Sequence, residues 1–271
     1  MTSQSDKVET FRTLHQEGYF VMPNPWDAGS AVVLEQMGFE ALATTSAGFA
    51  WSVGRPDQRV ERAEMLEHLR EIAGAVDVPV NADFEGGYAD DPDGVAESVA
   101  LAAATGIAGL SIEDSTRHGD EPLYPFDVAV ERIRAARQAI DESGTGIVLT
   151  GRSEGFVAGR PDLDETIRRL QAYAEAGADC LYAPFVDTAE QVSAIVAAVA
   201  PKPVNLLVHK PFITVSEAAG LGVRRISVGG SLARVAQASF AAAAQEIADD
   251  GTFTRFANLP NNAAVNAVFG R

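Results

Sequence analysis

The sequence predicts a single α/β domain folded as a (β/α)8 barrel of the TIM type. Three observations carry that expectation. Short apolar runs alternate strictly with amphipathic segments along the 271 residues, which implies parallel strands joined by crossover helices. Eight such units fit into about 250 residues, the usual size of this barrel. A weak internal repeat also recurs four times, a helix-like segment ending in glycine and followed by an apolar run, at 38–45, 106–113, 177–184 and 222–229. A doubly wound open sheet is the alternative for the same alternation; the fourfold recurrence favours closure.

Each element has its own local reason. Residues 7–16 read as a helix closing the bottom of the barrel, and the barrel proper spans about 17–249. Strands are expected at 19–22, 38–45, 78–83, 106–113, 146–152, 177–184, 203–208 and 222–229. Gly38, Gly106, Gly177 and Gly222 stand where a helix ends in a left-handed turn that a side chain would disfavour. The intervening helices are expected at 28–37, 61–75, 93–105, 127–141, 163–176, 188–199, 215–221 and 232–248. Asp91-Pro92, Pro161-Asp162, Thr188 and Ser231 supply start signals. Residues 250–271, with Pro260-Asn261-Asn262 and the apolar 263–269, read as a C-terminal arm suited to packing on a partner subunit.

Composition narrows the function classes. Hydrophobic residues make up 46% of the chain, enough for a large core, and 21 basic against 38 acidic residues give a formal charge of −17. Such a surface repels nucleic acid and anionic lipid, so neither is expected as a partner. An anionic substrate would need local positive charge from a metal or a placed arginine. Cys180 is the only cysteine, which excludes an intrachain disulfide and fits a reducing compartment. No uncharged apolar stretch reaches roughly 18 residues, and Met1 to Asp6 lacks a secretory layout; a cytoplasmic protein with no membrane partner is expected.

The chemistry is expected where the strands end. Two apolar runs turn acidic there: Val78-Pro79-Val80-Asn81-Ala82-Asp83-Phe84-Glu85 and Leu110-Ser111-Ile112-Glu113-Asp114. Converging carboxylates repel one another unless a cation lies between them, and hard oxygen ligands select Mg²⁺ or Mn²⁺. The alternative is that these acids cap the helices that follow. Arg152, in Gly151-Arg152-Ser153-Glu154, is the candidate anion contact, because a guanidinium grips a carboxylate with two parallel bonds; an ion pair with Glu113 or Asp83 is its other reading. Ser46-Ala47-Gly48 offers successive backbone N–H groups to an anion. Strand seven brings Asn205 and His209, and strand eight brings Ser227 and Gly229-Gly230-Ser231, which reads as a phosphate nest or as a tight turn capped by Ser231. His118, in the loop after strand four, is a candidate general acid or a solvated loop histidine. Cys180, His15 and His68 read as packing residues, and Tyr182 as either a site wall or a core tyrosine.

Together these pieces resemble the isocitrate lyase and phosphoenolpyruvate mutase superfamily. The resemblance rests on Thr45-Ser46-Ala47-Gly48, Gly54-Arg55-Pro56-Asp57, Asn81-Ala82-Asp83, Ile112-Glu113-Asp114 and Gly151-Arg152-Ser153-Glu154, in matching order across nearly the whole chain. It implies a Mg²⁺-dependent barrel enzyme that makes or breaks a bond to C3 of a pyruvate unit through an enolate. It further implies a homodimer or homotetramer with the last barrel helix exchanged between subunits. Carried over, Ser46, Ala47 and Gly48 hold the substrate carboxylate, and Arg152 meets the substrate and the enolate charge. Asp57, Asp83 and Glu113 hold the metal or its waters, joined by Asn81 or Glu85, and Asn205 lies near the distal group. Three departures stand out. Asn81 replaces the usual Asp, the loop 115–122 is shortened and lacks the lyases' catalytic cysteine, and Phe185 follows Pro184 where those lyases have Glu. They argue against cleavage of isocitrate or 2-methylisocitrate. The expected activity is cleavage or decarboxylation of a small 2-oxo or 2-hydroxy acid such as oxaloacetate. The alternatives are P–C chemistry on phosphonopyruvate or an inactive metabolite-binding member.

Overall fold

The computed structural model describes residues 2–116 and 119–270. In chain order the elements are α1 (Gln4–Leu14), β1 (Phe20–Met22), α2 (Ala28–Gln36), β2 (Leu42–Ala43), α3 (Ser46–Ser52), α4 (Arg62–Ala75), β3 (Val80–Asp83), α5 (Pro92–Ala103), β4 (Gly109–Glu113), α6 (Phe126–Ser143), β5 (Val148–Arg152), α7 (Leu163–Glu175), β6 (Cys180–Tyr182), α8 (Ala189–Val199), β7 (Val204–Leu207), α9 (Val215–Gly220), β8 (Arg225–Ser227), α10 (Ser231–Asp250) and α11 (Asn262–Phe269). The expected strands and crossover helices are all present. Side-chain caps start many of the helices: Asp27, Asp91, Asp162, Thr188 and Thr214 each accept a backbone N–H three residues on.

The strands run parallel in the order β1-β8-β7-β6-β5-β4-β3-β2. Between β1 and β2 the ladder gives way to single contacts. The Ala43 N–H donates to the Pro23 carbonyl at 3.1 Å. Asn24 stitches the same seam, giving its amide N–H to the Thr44 carbonyl at 2.9 Å and taking the N–H groups of Val228 and Gly229, each at 2.9 Å. The result is a nearly closed (β/α)8 barrel.

The apolar core lies between the sheet and its helices. Ala82, Leu110, Leu149, Leu181, Leu206 and Ile226 face outward and pack with buried residues of the crossover helices such as Leu69, Val99, Ile133 and Leu170. The alternate positions face inward and are mostly polar: Asn81, Asp83, Ser111, Arg152, Asn205 and Arg225 all line one central cavity. The bottom is plugged by α1. Phe11 is fully buried and approaches β4 so closely that a Cβ on Gly109 would lie 2.7 Å from its ring. Lys7 Nζ donates to the carbonyls of Ala73 and Val76, at 2.8 and 2.6 Å, and so satisfies the end of α4.

Two features of the C-terminal region stand apart. Ala233 is the only buried residue of α10, and Phe240 on that helix is 77% exposed. The arm folds into a helix, α11, which lies against α2. Among the described residues no helix is long and apolar enough to cross a membrane.

The bottom of the barrel makes stability depend on pH. His15 Nδ1 lies 2.7 Å from the Phe11 carbonyl, which can only accept, so Nε2 is the lone-pair nitrogen facing Arg225 Nη1 at 3.3 Å. Burial, with Arg225 adding to it, pushes His15 down to about 3. The unfolded chain therefore takes up a proton near pH 6.5 that the folded chain refuses. This contribution is full above that pH and is lost as pH falls toward 3, amounting to about 2 kcal/mol between pH 7 and pH 5. Urea unfolding at the two pH values should show a smaller loss in His15→Gln than in the wild type. Equal losses would mean that His15 is not the group responsible.

Candidate active site

The C-terminal strand ends surround a cavity of about 220 Å³. Clefts for drug-sized ligands occupy about 300–1,000 Å³, so this one suits a small molecule. At its mouth, Arg152 at the end of β5 gathers three carboxylates. Nη1 lies 3.1 Å from Asp83 and 3.2 Å from Glu113, while Nε donates to Glu154. The guanidinium also sits 5.1 Å from the centre of the Tyr182 ring. Burial drives the Glu113 carboxyl well above its ordinary range, and Glu154, Asp83 and Glu85 add to this against the pull of Arg152. Glu154 is raised by burial as well. Burial opposes the charge on Arg152, but Glu154 and Glu113 more than reverse that and raise its pKa. Three acids against one base leave the mouth short of positive charge.

The loop after β3 is held rigidly. Arg132 on α6 donates to the carbonyls of Gly86, Ala89 and Asp90, the last two at 2.6 and 2.5 Å, and stacks on Tyr124. This fixes Glu85, a buried residue in the left-handed region at φ +48°. The Glu85 carbonyl accepts the Glu113 N–H at 3.0 Å, and its carboxylate accepts from the Tyr88 hydroxyl at 3.1 Å.

Ser46, Ala47 and Gly48 form the first turn of α3. The Ser46 N–H and Oγ donate to Asp83 at 3.0 and 2.9 Å, and the Gly48 N–H is taken by the Thr45 cap at 3.2 Å. Ala47 lines the cavity, and Asp57 reaches its rim from the exposed loop after α3. Asn81 lies one inward position below Asp83 on β3 and faces Arg225, 3.5 Å away. Asn205 accepts from Arg225 at 2.8 Å and donates to Ser227 at 3.0 Å. Asp114 turns away from the mouth and anchors α7 through Arg169 at 3.1 Å and Tyr173 at 2.6 Å. Cys180 is buried, with its thiol pushed up by burial, as a packing residue would be. His209 packs against Phe185 with ring centres 4.5 Å apart. Gly230 is the residue at the start of α10, and Ser231 makes no side-chain cap there. His118 lies outside the described residues.

Sequence reasoning passed over Arg225, and placed Asn24 at the exit of β1 without giving it a role. Arg225 had a legible signal: with Ser227 it shares one parity of β8, so two polar residues point the same way from an otherwise apolar run. Asn24 carried none, because its role depends on three strands meeting.

Among the described residues no three His, Cys, Asp or Glu side chains form a set that could hold a metal ion unaided. The donors at the mouth are nonetheless all oxygen and in excess of positive charge. That chemistry fits a hard divalent cation held by one or two carboxylates, with water and substrate completing its shell.

A parallel barrel with an acidic, arginine-centred mouth over a small cavity is the architecture of an enzyme that handles a small anion at its strand ends. The chain belongs to the phosphoenolpyruvate phosphomutase family, whose profile matches residues 11–248. It resembles the crystal structure of a candidate lyase/mutase from Burkholderia cenocepacia J2315 with a TM-score of 0.96 and 46% identity, covering 99% of this chain and 98% of that one. Phosphonopyruvate hydrolase in complex with oxalate and Mg²⁺ superposes with a TM-score of 0.87 at 26% identity, over 100% and 95% of the two chains. The oxaloacetate decarboxylase of Bradyrhizobium sp. (strain ORS 278) is 31% identical over 198 residues, 70% of this chain and 67% of its own length.

Proposed function

We propose that this chain is a cytoplasmic, single-domain, Mg²⁺-dependent lyase. It cleaves or decarboxylates a small 2-oxo acid of the oxaloacetate kind through a pyruvate-like enolate. The observation that carries this reading is the Arg152 cluster, one guanidinium within 3.2 Å of Asp83 and Glu113 at the mouth of a small cavity. The likeness to an oxaloacetate decarboxylase supports the substrate class.

Asp83 and Glu113 would hold Mg²⁺, or Mn²⁺, directly or through water, with Asp57 and Glu85 within the outer circle and Asn81 below. When bound there, such a cation would supply a Lewis acid that draws charge from the 2-oxo group and favours its enolate. Arg152, at the end of β5 beside Asp83 and Glu113, would meet the developing enolate charge with its guanidinium. Ser46, whose N–H and Oγ now donate to Asp83, would orient the substrate carboxylate together with Ala47 and the start of α3. Asn205 faces the far end of the substrate. Phe185, with its φ of +65°, lines the cavity and helps exclude water from an intermediate that protonates readily. His118 is the candidate acid of the loop that follows β4. The apolar face that α10 leaves exposed supports a homodimer or homotetramer.

A second reading, mutase or hydrolase chemistry at a P–C bond, is favoured by the likeness to phosphonopyruvate hydrolase. Oxaloacetate, phosphonopyruvate and 2-methylisocitrate should be screened with Mg²⁺ and coupled pyruvate detection, against a metal-only blank. Oxaloacetate should turn over above the blank and lose that turnover with EDTA. 2-Methylisocitrate should give at most a trace, because the loop after β4 carries no cysteine. Preferential turnover of phosphonopyruvate would select the second reading, and no turnover of any acid would leave only a metabolite-binding role.

A further inference from the structure

Arg225 is a buried charge on the cavity that the proposed reaction leaves without a role. It projects from β8 across the barrel interior beneath the mouth, is 1% exposed, and lines the same cavity as Arg152. Its guanidinium meets neutral acceptors: Asn205 Oδ1 at 2.8 Å, Thr150 Oγ1 at 3.0 Å, His15 Nε2 at 3.3 Å and Asn81 Oδ1 at 3.5 Å. Among the described residues it forms no ion pair, whereas Arg152 has three. A buried cation without a counter-ion is costly, and its desolvation is answered here only by dipoles. Of the two arginines on the cavity, the upper one is saturated by carboxylates and the lower one is not. An incoming anion therefore finds its unmatched positive charge at the floor.

We infer that Arg225, with Asn81 and Asn205, forms a floor subsite that takes the carboxylate remote from the reacting 2-oxo group, and so selects dicarboxylic over monocarboxylic acids. This rests on the lyase reading above and adds to it the residue that determines specificity. It also accounts for the amide at position 81. An Asp there would stand within ion-pair reach of Arg225 and supply the counter-ion permanently; the neutral Asn81 leaves that charge for the substrate.

The test is calorimetric titration of the full chain, at saturating Mg²⁺, with malonate as a non-reacting dicarboxylate and with pyruvate as a monocarboxylate. The quantity read is the ratio of the two affinities, which removes any change in metal occupancy. Wild-type protein should favour malonate. Arg225→Gln should lower the ratio by about tenfold or more, the loss expected for a charge-assisted contact. Because Arg225 is buried and its replacement can unfold the barrel, Asn81→Asp is the second variant. It keeps the arginine and the shape of the interior but gives Arg225 a resident carboxylate, and the same fall is expected. An unchanged ratio in either folded variant overturns the subsite, as does wild-type protein that does not bind malonate. Tighter binding of phosphonoacetate than of malonate overturns the carboxylate assignment. Oxaloacetate turnover with an unchanged ratio would discard the subsite and keep the lyase; a fallen ratio without turnover would do the reverse.

Discussion

Asp83→Ala should lower Mg²⁺ affinity by about a hundredfold or more and abolish turnover while leaving the barrel folded. Loss of residues that merely orient a ligand costs 10- to 100-fold in metal affinity, so loss of a direct ligand belongs at or beyond the upper end. Asp83 is the hinge of the mouth. One carboxylate oxygen takes two donors from Ser46, and the other takes Arg152 at 3.1 Å. Removing it strips the proposed metal of its most accessible carboxylate and releases both Ser46 and Arg152 from their positions. The fold should tolerate the change, because the residue ends its strand and its side chain is partly exposed, whereas the contacts that hold β3 are backbone bonds and the apolar outer face. Calorimetric titration with Mg²⁺, alongside circular dichroism, checks this. Unchanged affinity in a folded variant would remove Asp83 from the metal site.

Arg152→Ala should cost about a thousandfold in turnover, at the upper end for loss of one preorganised donor to a developing oxyanion. Arg152→Lys should not restore it. The wild-type guanidinium serves Asp83 and Glu113 through one nitrogen and Glu154 through another. An ammonium is a compact point charge and cannot reproduce that planar spread. Stability should behave differently from activity. The alanine variant leaves three acids around an absent cation and should be destabilised by roughly 3–5 kcal/mol, as when one partner of a buried ion pair is removed. Lysine should recover part of that by charge alone. Urea unfolding and steady-state kinetics on the same two variants separate these effects. Full activity in the lysine variant would show that only the charge at position 152 matters.

The eight strands and their helices were legible because they rest on local signals: apolar periodicity, glycines at helix ends, and Asp or Thr caps. Helix α3 was not. Its seven residues are too short to show a period, and Ser46-Ala47-Gly48 carries the composition of a turn. Asp83, Glu113 and Arg152 were foreseeable because an ionisable residue ending an apolar run has few structural uses. Asp114 shared that signal, yet it serves Arg169 and Tyr173, since successive residues at a strand end face opposite sides of the sheet. Arg225 and Asn24 act across the barrel, on partners about 20 to 210 residues away. The partners at such distances leave no trace in a local pattern, although the inward parity that Arg225 shares with Ser227 does.

The separation between the barrel's apolar wall and its polar lumen has a consequence for how this architecture diversifies. Most of the hydrophobic contacts that keep the chain folded lie outside the cylinder of strands, between sheet and helices. The polar side chains lie inside it, where Asn205, Asn81 and Thr150 each meet Arg225. The two populations alternate along the same strands but share little packing. Exchanges among the neutral residues of the lumen can thus be made a few at a time without disturbing the scaffold, whereas Arg152 and Arg225 need a compensating change across the bore. A changed preference among small anions is therefore expected from substitutions inside the bore and not from those in the wall.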